Sequence, residues 1–231
     1  MPLFMMDYWY LLLVVPAIIL TLIAQVHVKR VFRRYSGVRS SMTGAEASRL
    51  IQSARGLNLP ILPVSGSMTD YYNPSDQTIH LSETVLDTAT VSAVGVAAHE
   101  TGHALQYVDN YAPARIRMAI VPVTNFASTI STYLVVLGLI FSFYPLAYVG
   151  IGCFGFAVLF QLITLPVEFN ASRRTLAELS ACGRFTQEEL DGVRRVLSAA
   201  AMTYVAALFL SLMSFLRLLL IVAGNNRKGR R

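Results

Sequence analysis

From Met118 to Val167 the chain runs for 50 residues without a single Asp, Glu, Lys, Arg or His. A helix needs about 20 apolar residues to cross a bilayer, so this run holds two spans, with Ser142-Phe143-Tyr144-Pro145 near its middle as the turn of a hairpin. Two further uncharged runs, Tyr8 to Val26 and Val196 to Leu216, supply a span on either side, and Leu218 to Ala223 continues the last beyond Arg217. With 55% hydrophobic and 14% charged residues, the composition lies outside the range of soluble domains. The expected fold is mainly α: an integral membrane protein with about four transmembrane helices and a small α+β domain outside the bilayer. The partition follows the charge pattern: an anchor over 1–28, a folded domain over 29–117, a two-span hairpin over 118–167, a segment over 168–198, a last span over 199–224 and a basic tail over 225–231.

Charge also sets an orientation. The first span resembles a secretory signal, but such signals carry basic residues before the apolar core; here Asp7 precedes it and Lys29, Arg30, Arg33 and Arg34 follow. Of 19 Lys and Arg, 14 fall in 29–117 and 168–195, which the positive-inside rule assigns to the cytoplasm. The tail residues Arg227, Lys228, Arg230 and Arg231 are the misfit, since four spans return them to the other side. The basic residues flank apolar runs and form no aromatic-interleaved stripe, so the pattern points to a lipid bilayer as partner and not to nucleic acid. Arg217 reads as a side chain snorkelling toward the tail, and His27 as part of the interfacial belt. Cys153 falls inside a span and Cys182 outside one, a placement that argues against a disulfide.

Within 29–117, Thr43 with Glu46 three residues later forms a capping-box pattern for a helix running to about Ala54 and stopped at Gly56. Ile61–Val64 and Gln77–Leu81 read as two strands, with Asp70-Tyr71-Tyr72-Asn73-Pro74 as a turn between them. Ser82 and Thr90 offer helix starts, and the helix from Val91 ends near Val108, before Asn110 and Pro113.

That last helix contains His99-Glu100-Thr101-Gly102-His103. Positions i and i+4 lie on one helix face, so His99 and His103 form a two-pronged clamp that suits Zn2+. Glu100 stands beside the clamp without occupying a ligand position, as a general base requires. With four His and seven Glu in the chain, roughly 0.002 such matches arise by chance. The plainer alternative is a pair of histidines that merely pack. The small residues Ala97, Ala98, Gly102 and Ala104 leave room around a metal, and Gly95 and Gly102 each cost about 1 kcal/mol of helix stability relative to Ala, which close packing or an approaching substrate explains.

A catalytic zinc site takes three protein ligands and keeps one position open. Gln106 and Asp109 occupy the places where an extended motif carries Gly and His, and no histidine follows residue 103. A carboxylate is the remaining choice, and Glu168, the first charge after the uncharged run, emerges on the same side as the domain. Its alternative is an interfacial pairing with Arg173 or Arg174.

HETGH at 99–103 with VEFNASRR at 167–174, preceded by YYNPSDQTIHLS and separated by a two-span hairpin, resembles the YugP-like family of bacterial membrane neutral zinc metallopeptidases over most of the chain. It is more distantly similar to membrane gluzincins that pair HExxH with a later EFxAD. The resemblance implies zinc ligands His99, His103 and Glu168, the base Glu100, a zincin-like cytoplasmic domain and a polypeptide substrate. Ser172 stands where the distant relatives have an Asp that orients a zinc-bound histidine, which leaves that role to Asn170 or another group. An extended substrate would pair with a strand edge, for which Gln77–Leu81 is the candidate, and Tyr71, Tyr72 and His80 are candidate donors to an oxyanion. Two rival readings remain: an intramembrane-cleaving protease of the site-2 type, and a non-catalytic scaffold with structural zinc.

Overall fold

The computed structural model describes residues 7–229, with side chains as far as Asn226. A π-helical turn, Tyr10–Val14, leads into α1 (Val15–Ser36), and then come α2 (Gly44–Ala54), β1 (Ile61–Val64), β2 (Tyr71–Asn73), β3 (Thr78–Ser82), α3 (Glu83–Leu86), α4 (Val91–Val108), α5 (Ala112–Ile140), α6 (Tyr144–Ala181) and α7 (Gln187–Gly229). Four helical stretches are long and apolar enough to cross a membrane: Tyr10–Ser36, Ala112–Ile140, Tyr144–Ala181 and Gln187–Asn226. The described chain falls into two compact units.

The first unit comprises residues up to Ala24, Ile116–Leu165 and Thr203 onward. Its core joins Val135 of α5, Ala147 and Ile151 of α6 and Val222 of α7. The hairpin turns where expected, with Ser142 at φ 54°. Glycines let α5 and α6 touch: a Cβ on Gly138 would stand 2.5 Å from the Ala147 backbone nitrogen. Apolar side chains gain little from leaving lipid for one another, so this close backbone approach supplies the packing.

Arg217 does not snorkel to the tail. Its Nε and Nη2 donate to Asp7 Oδ2 at 3.1 and 2.7 Å, and its guanidinium lies 5.0 Å from the centre of the Tyr10 ring. A charge beside lipid gains more from a fixed counter-ion than from a stretched side chain. Asp7 precedes the first span and Arg217 lies in the last, so the pair holds the two ends of the unit at one level. Arg230 and Arg231 lie outside the described residues, as do the side chains of Arg227 and Lys228. Arg217→Met is expected to lower stability in detergent by about 1 kcal/mol, measured by chemical unfolding, and the exchange Asp7→Arg with Arg217→Asp to recover part of it.

The second unit comprises Gln25–Arg115 and Pro166–Met202. Here α4 is the axis, flanked by two apolar clusters. One joins Val91, Val94, Ala98 and Leu105 of α4 with Ile51 of α2, Leu179 of α6 and Leu190, Val193 and Leu197 of α7. The other joins Ala93 and Ala97 of α4 with Ile79 and Leu81 of β3 and Val85 of α3. The capping box forms: Thr43 Oγ1 accepts from the Glu46 N–H, and Glu46 Oε2 accepts from the Thr43 N–H.

Two expectations fail in the sheet. Its order is β1-β3-β2, with β1 parallel and β2 antiparallel to β3, so the strand expected as an edge, Gln77–Leu81, is the central one. Tyr71–Asn73 is a strand and not a turn. The turn moves three residues on, where Asn73 Oδ1 accepts from the Ser75 N–H, Asp76 Oδ1 from the Thr78 N–H, and Gln77 takes φ 58°. Side-chain turns of the Asn and Asp type supply the reversal, which frees the two tyrosines for the strand that suits them.

Past the end of the uncharged run, α6 continues through Pro166 and Glu168 to Ala181. Proline removes one N–H from the ladder, yet the helix is held on both sides of it. At 38 residues it measures about 57 Å, nearly twice the roughly 30 Å apolar thickness of a bilayer.

Candidate metal centre

His99, Glu100 and His103 project from the middle of α4, which starts at Thr90, whose Oγ1 accepts from the Ala93 N–H. Against that stretch lies the Pro166–Ala181 part of α6. Two glycine-dependent contacts set the distance: a Cβ on Gly102 would stand 2.8 Å from Thr175 Oγ1 and 2.9 Å from the Ala171 carbonyl oxygen. Thr175 Oγ1 in turn donates to the Ala98 carbonyl at 3.1 Å. The glycine inside the motif is thus explained by close packing of two helices. Gly102→Ala is expected to push α6 away, with destabilisation of about 1–3 kcal/mol and weaker metal binding than its small size suggests; thermal unfolding and a metal titration of one preparation check both.

The close approach brings Glu168 onto the histidine pair. His99 Nε2 is 3.3 Å and His103 Nε2 3.6 Å from Glu168 Oε2, the imidazoles meet edge-to-face with centroids 4.7 Å apart, and one ligand atom from each of the three residues lies within 4.8 Å of the others. Glu168 is 2% exposed. Arg174, one of the two arginines of the simpler alternative, binds Asp109 and Asn170. Two imidazole nitrogens and a carboxylate oxygen, converging on one point, match the donor set of a three-ligand zinc site. Among the described residues, this is the one His/Cys/Asp/Glu group with metal-holding geometry.

Glu100 sits apart from that triangle. Its Oε2 accepts the Tyr72 N–H at 3.0 Å, so the edge strand β2 fixes the carboxylate. Burial pushes its pKa up to about 7; the neighbouring His99 opposes the rise, while Glu168 and Asp70 add to it. Of the three candidate oxyanion donors, strand pairing separates Tyr72 from the rest. Tyr71 pairs with His80 across the strands and their rings stack at 4.4 Å, whereas Tyr72 pairs with the fully buried Ile79, whose face packs on α4. Alternation along a strand therefore turns Tyr71 and His80 away from the helix that carries the motif.

The outer partners of the histidines were only half legible. Ser172 does lie beside His99, but its Oγ is 3.5 Å from Nδ1, too long for a strong bond. Sequence reading missed Gln106, whose Oε1 is 3.0 Å from His103 Nδ1. Its spacing was the available signal: a Gln three residues after a helical His lies on the same face. Asn170, the expected substitute, acts one step back, with Oδ1 accepting from Gln106 Nε2 at 3.0 Å.

Comparison with known proteins agrees with this chemistry. Residues 10–223 match the family described as "Putative neutral zinc metallopeptidase". The chain is 44% identical over 215 residues to "Putative membrane protease YugP" of Bacillus subtilis (strain 168), spanning 92% of this chain and 96% of that protein. No solved structure matches. A family match over nearly the whole length, on a chain with a His-His-Glu cluster and four apolar helices, carries one conclusion: this protein belongs to the neutral zinc metallopeptidase family.

Proposed function

We propose that the chain is a membrane-anchored, gluzincin-like zinc endopeptidase in which His99, His103 and Glu168 hold the metal and Glu100 is the general base, with membrane-associated or misfolded polypeptides as substrates. The observation that carries the reading is the fold-back of Glu168 onto the two histidines, with Glu100 next to the cluster and outside it. Bound zinc supplies a Lewis acid and makes water acidic enough to yield a nucleophile near neutral pH.

The chain's own groups supply the rest. Tyr72 N–H holds Glu100 Oε2 and leaves Oε1 to take a proton from the water that attacks the peptide carbonyl. As the C–N bond breaks, the same carboxyl passes that proton to the departing amine nitrogen. The raised proton affinity of Glu100 suits a group that must accept and then release a proton. The strand edge that faces this centre is β2, and an extended substrate adding a strand there would lie across Glu100. The uncharged run ends one residue before Glu168, which supports a site at the membrane surface. The basic bias of the flanking segments favours the cytoplasmic side. A three-ligand cluster favours catalysis over a structural site, which usually closes with four protein ligands.

Purified protein is expected to carry about one zinc per chain and to cleave an unfolded protein substrate. A chelator should abolish cleavage and zinc restore it. A zinc-free preparation that cleaves equally well overturns the reading.

A further inference from the structure

We propose that Gln106, Asn170 and Arg174 form a one-way hydrogen-bond relay that fixes the tautomer of His103 and so presents its Nε2 lone pair to the metal; the inference rests on the functional reading above. The direction of the relay follows from its far end. A guanidinium has donors only, and Arg174 Nε lies 2.8 Å from Asn170 Oδ1, so that atom of Asn170 must be the amide oxygen. Gln106 Nε2 lies 3.0 Å from the same oxygen and 2.8 Å from the Val167 carbonyl oxygen. Two acceptors on one atom require it to be the amide nitrogen, with both N–H groups engaged. Gln106 Oε1 is then left to face His103 Nδ1 at 3.0 Å, and an amide oxygen can only accept. The proton of a neutral His103 is therefore on Nδ1.

Each member has support behind it. Arg174 pairs with Asp109, which also receives Arg55 Nη2 at 3.0 Å, and Arg55 Nη1 reaches Glu178 at 2.9 Å. Gln106 is fully buried, so a flipped amide would set its oxygen against two oxygens with no water to intervene. His99 lacks such a device: the hydroxyl of Ser172 at 3.5 Å can donate or accept and selects no tautomer. The two histidines of the motif are thus positioned differently. Both imidazoles face Glu168 through Nε2, at 3.3 Å for His99 and 3.6 Å for His103, and the Gln106 amide acts on His103. Asn170 and Arg174 follow Glu168 on α6 by two and six residues, so the helix that supplies the carboxylate also supplies the relay.

The test uses the full chain in detergent and two readouts. In the zinc-free protein, two-bond 1H–15N correlations report which nitrogen of His103 bears hydrogen; separately, zinc affinity is measured against a chromogenic chelator. The parent is expected to show hydrogen on Nδ1. Gln106→Met, similar in shape but with only a weak sulfur acceptor in place of the amide, should lose that preference and weaken zinc binding by about 10–100-fold. Asn170→Leu should act in the same direction, because it unpins the amide of Gln106. Asn170→Asp keeps an acceptor facing both Gln106 and Arg174 and should retain the parent tautomer and affinity. Unchanged tautomer and affinity in Gln106→Met overturn the relay, as does an Asn170→Asp variant as impaired as Asn170→Leu. If Gln106→Met does not fold, the Asn170 pair decides by the same readouts. A parent that binds no zinc refutes the functional reading alone, and the tautomer measurement still decides the relay.

Discussion

Glu100→Gln is expected to bind zinc like the parent and to cleave peptide bonds about 10²–10⁴-fold more slowly. Glutamine keeps the shape of the side chain and an oxygen to accept the Tyr72 N–H, which the parent carboxylate takes at 3.0 Å. It has no basic lone pair with which to take a proton from water. Because Glu100 lies outside the His99, His103 and Glu168 cluster, its neutralisation leaves the three donors in place. The measurement is a single-turnover cleavage rate with metal content determined on the same preparation. Normal cleavage by the zinc-loaded variant removes Glu100 from the reaction. Loss of zinc together with activity would make it a ligand.

Glu168→Gln is expected to have the larger effect on the metal. The amide removes the anionic donor that lies 3.3 and 3.6 Å from the two imidazoles, and two histidines at i and i+4 remain. Affinity should fall by more than the about 10–100-fold that follows loss of an outer hydrogen-bond partner. The consequence reaches stability, because a ligand that binds only the folded state stabilises it by mass action. Added zinc should raise the unfolding temperature of the parent and leave that of Glu168→Gln unchanged. An equal zinc-induced shift in both would mean that the carboxylate does not hold the metal.

The local features were open to direct reading because each depends on residues close in sequence. A helix pairs every residue with the one four away, so the spacing of His99 and His103 already placed them on one face. The capping box at Thr43 and Glu46 is complete within four residues, and the hairpin at Ser142 is marked by the interruption of an uncharged run. The order of the strands was not open in this way. Whether β3 lies at an edge depends on Tyr71 to Asn73 pairing with it, and that in turn depends on which of two adjacent polar stretches makes the turn. Arg217 was misread for a similar reason: its partner, Asp7, is 210 residues distant.

By itself the sequence determined how many helices can cross a bilayer, where the paired histidines and the adjacent Glu100 lie, and which carboxylates were available to complete the set. Hydrophobic length and helical periodicity are properties of the chain alone. The tertiary structure decided that Glu168 reaches the clamp, because Gly102 lets α6 lie against α4 with Thr175 and Ala171 in the gap. It also decided that Gln106 stands behind His103 with its amide held by α6. Contacts between helices distant in sequence depend on packing and on the direction of hydrogen bonds, and neither has a period that a sequence can display.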